Sequence, residues 1–245
     1  MSNSAYLALW LDGPLQSWGS ASRFQRRTTG MHPTKSGVLG LICAAMGLAK
    51  GSAEENDLLP KLATLKMTTI AIPRSVELGA SILPVHRLDD FHTTGGGYDK
   101  KTQRQFIPRK ASGGPCDNPT VSRRQYLVNA SFGVILDGDC VLLESVVTAL
   151  QDPRWGMWLG RKSCIPAELM YRGMFSTKAE VQRVLIGDMP LDVFTTTTEV
   201  ERFEDGTDSF DDQPVSFGDG TSSGPDKRQF VPRRICFLPG SSKLD

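Results

Sequence analysis

The sequence predicts an α+β fold, and three observations predict it. Its apolar runs follow the order strand, helix, strand, long hairpin, strand, helix, which is the order of a ferredoxin-like core. A polar, Gly-rich, basic stretch from 86 to 126 lies between two strand-like runs and is too long for an ordinary turn. After Leu191 the chain becomes strand-like runs separated by acidic turns. The reading is a ferredoxin-like core over 1–190, a long β-hairpin within it at about 86–126, and a strand-rich acidic C-terminal extension over 191–245 packed on that core.

Each element has a local cause. Tyr6 to Leu11 is an apolar run with the character of a buried strand, stopped by Asp12-Gly13-Pro14. The N-terminus carries no basic region before that run, so it reads as a strand and not a signal peptide. SGVLGLICAAMGLAKG reads as a helix that Thr34 or Ser36 can cap and Gly51 can end. Asn56 to Leu65 predicts a second short helix and Leu65 to Pro73 the next strand. SILPVHRL and QYLVNASFGVIL predict the two antiparallel strands of the hairpin. Asp139 can cap a helix through Leu150, whose stripe is Leu142, Leu143, Val146, Val147 and Leu150. Thr177 and Glu180 form a capping box before Val181, Val184 and Leu185.

Composition excludes several classes. The 245 residues suffice for one large domain or two small ones. No apolar run reaches the ~18 residues of a membrane helix. The 5 cysteines include no C-x-x-C pair, which argues against a disulfide framework or a zinc site and fits the cytoplasm. No cofactor and no metal are expected. GMHPTKS resembles a phosphate loop, but Gly30 is one residue too close to the lysine and Thr34 replaces the second glycine. Gly220 to Gly224 matches a nucleophile elbow without the flanking strand and helix. Asn129-Ala130-Ser131 matches a glycosylation acceptor inside a strand.

The net charge of +1 hides an uneven distribution. From Arg23 to Lys35 there are four cations and no acid. From Arg87 to Arg124 there are eight cations and four acids. From Asp192 to Asp226 there are ten acids and one cation, Arg202. A helix start offers unpaired N–H groups and about half a positive charge, so Arg26, Arg27, His32 and Lys35 beside it make a candidate anion site. In the second segment, cations alternate with Phe91, Tyr98, Phe106 and Tyr126, the pattern that tracks phosphates and stacks unpaired bases. Trp158 to Ser163 adds a third patch. Three such patches point to single-stranded RNA. The aromatic RNP motifs of the common RNA-recognition module are missing, so the sheet face is not the expected surface.

Four motifs then carry a resemblance: LDGPLQSWG at 11–19, R-x-T-G-x-x-P-T-K-S-G-V-L-G-L-I from Arg27, Asn129-Ala130-Ser131-Phe132, and WLGRKSC at 158–164. In this order they resemble the Cas-five family of CRISPR-associated proteins, within the RAMP superfamily, and most of all its members in type I-E Cascade complexes. The resemblance runs from about 5 to 172. It implies a non-catalytic, RNA-binding subunit of an antiviral ribonucleoprotein complex, which holds the 5′ handle of the crRNA. The implied partners are a Cas-seven-type backbone subunit, the large PAM-reading subunit and target DNA near the PAM, with no membrane. The expected RNA-binding residues are Gln16, Trp18, Arg23, Arg26, Arg27, His32, Thr34, Lys35, Ser36, Arg87, His92, Tyr98, Lys100, Arg104, Arg109, Arg123, Arg124, Arg161, Lys162 and Ser163. The resemblance makes the core a palm and the hairpin its thumb, whose Gly-rich part, 94–122, is longer than the family pattern. The alternative is a metal-independent endoribonuclease that processes repeat RNA, with His32 or His92 as acid or base and Lys35 stabilising phosphate charge.

Overall fold

A computed structural model describes residues 4–19, 25–75, 82–94, 114, 119–218 and 228–241. Strand β1 (Ser4–Asp12) sends Leu7, Leu9 and Leu11 to one side and Ala8 to the other, since successive strand side chains alternate. Two short strands follow, β2 (Leu15–Gln16) and β3 (Arg26–Arg27). Helix α1 (Lys35–Met46) is capped by Thr34, whose hydroxyl accepts the Gly37 N–H at 3.3 Å. It ends at Gly47 (φ 72°), ahead of the Gly51 expected from sequence, because Gly47 adopts the left-handed cap without a Cβ penalty. Helix α2 (Ala53–Ala63) starts before Asn56 because Ser52 supplies its cap.

Strand β4 (Lys66–Ala71) comes next, then β5 (Arg74–Ser75) and β6 (Ile82–Leu83), which pair with each other. The hairpin strands are β7 (His86–Thr94) and β8 (Thr120–Val128). The run QYLVNASFGVIL is two strands and not one: Asn129 has φ 62° and turns the chain from β8 into β9 (Ser131–Asp139). Helix α3 (Cys140–Gln151) is capped by Asp139, and α4 (Lys178–Ile186) by the Thr177–Glu180 box. Between them lies β10 (Tyr171–Phe175). The C-terminal strands are β11 (Thr196–Glu199), β12 (Asp208–Ser216) and β13 (Gln229–Leu238).

Seven strands form one antiparallel sheet in the order β10-β1-β9-β4-β11-β13-β12. The C-terminal strands continue this sheet outward from β4, edge to edge. Helices α1, α2 and α3 cover one face, where Leu39, Ile42, Leu59, Leu62, Leu143 and Val146 join Leu7, Leu9, Val134 and Leu136. Helix α4 covers the other, with Val181, Leu185 and Ile186 against Ala8, Ile70 and Ile135. That second layer occupies sheet surface that an RNA-recognition module would leave open.

A second sheet joins β2 and β3, from before α1, to the hairpin strands β7 and β8, which lie between β4 and β9 in the chain. Strand β8 is its centre: β7 runs along one whole edge, while β2 (antiparallel) and β3 (parallel) share the other. The N-terminal motif segment and the hairpin are therefore one structural unit.

Candidate nucleic-acid interface

The motif segments converge on Trp18. The Gln16 amide donates to the carbonyls of Leu11 (2.9 Å) and Ala130 (2.7 Å) and accepts the Trp18 indole N–H at 2.9 Å. Trp18 donates its backbone N–H to Thr29 Oγ1 at 2.8 Å, and its carbonyl accepts the Gly30 N–H at 2.7 Å. Its ring lies on the first turn of α1, where a Cβ at Gly37 would come within 2.9 Å of it. Ser17 N–H donates to Leu159 O at 3.0 Å. Gly160 has φ 96°, and a Cβ there would sit 1.7 Å from the Ser17 carbonyl oxygen. Gln16 and Trp18 are 0% and 1% exposed, and their polar groups are satisfied internally. They are corrected from RNA contacts to the joint that locks three segments together.

The start of α1 brings a second correction. The anion site expected there is filled by the chain's own carboxylate: Lys35 N–H donates to Asp212 Oδ2 at 2.8 Å. Asp212 is held in turn by Arg233, whose Nε and Nη2 donate to its two oxygens at 2.9 and 2.8 Å. The Lys35 ammonium is fully buried and bonds both Glu199 oxygens at 2.9 Å. Arg233 Nη1 lies 3.7 Å from the same carboxylate. Two cations and two anions thus close a neutral quartet that is buried except at the partly exposed Glu199. Burial pulls the Lys35 pKa down, and Glu199 opposes that shift. Lys35 offers no charge to a phosphate, and Thr34 is buried as the helix cap. His32 packs edge-on against Phe210 with centroids 4.8 Å apart, and burial lowers its pKa. Ser36 is half-buried in the first turn. The acid–base set of the nuclease reading is not assembled: Lys35 is sealed inside, His32 lies against β12 and His92 stands on the hairpin.

The exposed cations collect on the second sheet. Strand β3 sets Arg26 opposite Arg123 and Arg27 opposite Arg124. Like charges facing each other across a strand pair are destabilising on their own. Among the described residues, no salt bridge neutralises any of the four. Pleating divides them. Arg26 and Arg123 share a face with Arg87, Asp89, Phe91 and Gln125; Arg27 and Arg124 share the other with His92, Ser122 and Tyr126. Arg123 stacks 5.0 Å over the exposed Phe91 ring. Arg124 Nε donates to Ser122 Oγ at 3.1 Å. A cleft of about 260 Å³ is lined by Arg26, Arg27, Thr28, Asp89, Asp90, Phe91, Arg123 and Gln125.

Arg161 ties this sheet together. Its guanidinium donates to Gln125 O at 2.8 Å and Arg27 O at 2.7 Å and stacks 4.8 Å over Tyr126. It holds β3 against β8 through both carbonyls. Lys162 and Ser163 beside it are exposed, with the Ser163 hydroxyl 3.4 Å from the Tyr126 oxygen. Arg23, Tyr98, Lys100, Arg104 and Arg109 lie outside the described residues. Glu199, Asp212 and Arg233 were missed by sequence reasoning. Their signal was present: an acid-rich segment and a late arginine in a chain whose first helix begins with an unanswered lysine.

The family model described as CRISPR-associated protein (Cas_Cas5) matches residues 6–235. The chain belongs to the Cas5 family, the Cas-five family of the sequence motifs. The match takes in both sheets and the strands of the C-terminal hairpin. This Cas5 chain is similar to the "CRISPR system Cascade subunit CasD" of Escherichia coli (strain K12), 28% identical over 196 residues, covering 76% of this chain and 78% of that one. It is similar to a solved chain of a "CRISPR RNA-guided surveillance complex", 27% identical with a TM-score of 0.70, over 96% of this chain and 90% of the other. A second, titled "Crystal structure of Cas protein", is 27% identical with a TM-score of 0.59, over 96% and 98%. No helix among the described residues is long and apolar enough to cross a membrane.

Proposed function

We propose that this Cas5-family chain is a non-catalytic subunit of a type I CRISPR Cascade surveillance complex, of the type I-E kind, and that it binds the 5′ handle of the crRNA on its hairpin sheet. The observation that carries this reading is the two pairs of opposed arginines, Arg26–Arg123 and Arg27–Arg124, which form no salt bridge among the described residues although Asp90 stands opposite Arg124 across β7 and β8. Such an arrangement is stabilised by a bound polyanion. Exposed Phe91 beside Arg26 and Arg123 suits unpaired bases, and the cations suit a phosphate backbone. The relatives named for Cascade and for an RNA-guided complex support a guide RNA as that polyanion.

In this reading residues 1–190 form a ferredoxin-like palm. The order β10-β1-β9-β4, with helices after β1 and β9, supports that description. The hairpin is its thumb, and residues 191–245 are the extension that fastens α1. The thumb faces a Cas-seven-type backbone subunit, and the palm adjoins the large PAM-reading subunit and target DNA near the PAM. The subunit acts in the cytoplasm.

The purified chain, incubated with its repeat RNA in EDTA, is expected to bind the RNA and leave it uncut. One clean cut, abolished by His92→Ala, would instead establish the nuclease.

A further inference from the structure

The cleft on the hairpin sheet holds a feature that phosphate binding alone does not explain. Asp89 pairs with Gln125 across β7 and β8, one same-face row along from Phe91 and Arg123. It is exposed and stands in a cleft that arginines dominate, yet it forms no salt bridge among the described residues. A carboxylate repels the phosphates that the arginines attract and is complementary to a ligand group that donates hydrogen bonds. In a single-stranded RNA the donors are the ribose 2′-OH and the base edges, and only a base edge sets two donors side by side. The volume of about 260 Å³ suits one nucleoside.

We propose that this cleft reads one unstacked nucleotide of the RNA and prefers guanine. This rests on the RNA-binding reading above and adds base identity to it. Guanine alone presents two adjacent donors, N1–H and the N2 amino group, which match the two oxygens of one carboxylate. Asp89 accepts both. Arg26 and Arg123 neutralise the flanking phosphates, and the Phe91 ring, 65% exposed, supplies the stacking surface. Adenine and cytosine offer one amino donor beside an acceptor that faces the carboxylate unfavourably. Uracil offers one N–H between two acceptors.

The test uses the full chain and fluorescein-labelled oligouridine RNA carrying a single central G, A or C, with all-U RNA as reference. The G probe is expected to bind at least about fivefold more tightly than the others, the discrimination typical of a bidentate base contact. In Asp89→Asn the four probes converge, because the amide loses one acceptor and adds a donor. Equal binding of all four probes by the unmodified chain overturns the proposal while leaving RNA binding intact, as does a G preference that survives Asp89→Asn. Absence of binding to any probe overturns the RNA reading as well.

Discussion

Lys35 carries its charge at a helix start, but its side chain runs inward to Glu199, and its backbone N–H meets Asp212. The partners lie 177 and 164 residues away in the chain. Removing one member of a buried ion set leaves the rest uncompensated, a cost of about 3–5 kcal/mol. Lys35→Met therefore acts on folding, and guanidinium unfolding should show a loss of that order. His32 gives this residue cluster a pH dependence. Its pKa is lowered from 6.5, chiefly by burial, against the raising effects of the Pro33 carbonyl and Asp212. Above pH 6.5 the imidazole is neutral folded or unfolded. As pH falls below 6.5 the unfolded chain takes up the proton first, so stability drops until the folded imidazole also titrates. Thermal melts should show wild type losing stability just below pH 6.5 and His32→Gln losing less. Parallel curves for the two proteins would remove His32 from the account.

At the scale of elements, the hairpin sheet is where charge, stacking surface and an open cleft coincide. Arg161 holds β3 and β8 together by donating to a carbonyl on each. Arg161→Ala is expected to loosen that edge: hydrogen exchange at the Arg123 amide, which donates to Gln25 O at 2.8 Å, should accelerate, and RNA affinity should fall with it. Unchanged exchange would mean that β3 is held by other contacts. Periodicity and caps made α1, α3 and α4 legible, and the long basic insert between apolar runs made the hairpin legible. The faces of the arginines were not. They depend on the parallel pairing of β3 with β8, and a one-residue shift would exchange Arg26 for Arg27 on the Phe91 side. The quartet at α1 was hidden for a related reason: a local pattern of cations does not say which of them has a distant carboxylate waiting. Likewise Gln16, Trp18 and Gly160 stood out as motif residues, but their pattern could not distinguish a ligand contact from a packing joint.

For the whole molecule, the acidic C-terminal part and the basic N-terminal part are complementary in two ways. Its strands extend the sheet from β4, and its Glu199, Asp212 and Arg233 close the start of α1. A chain ending at Pro190 uncovers the β4 edge and strands Lys35 without partners. It should aggregate or remain unfolded by circular dichroism, and a cooperatively folding monomer would refute the view that the extension is integral. With Lys35 and Arg233 engaged in this internal closure, the hairpin arginines are, among the described residues, the cations that the proposed RNA contact rests on. The most direct measurement is the salt dependence of RNA binding for wild type and for Arg26→Ala/Arg123→Ala. The double variant should bind more weakly, with a log K against log salt slope shallower by about 1.4, the value for two lost single-strand phosphate contacts, and should still fold cooperatively, since it removes a like-charge pair. An unaltered slope and affinity in a folded double variant would contradict the assignment of RNA to this sheet.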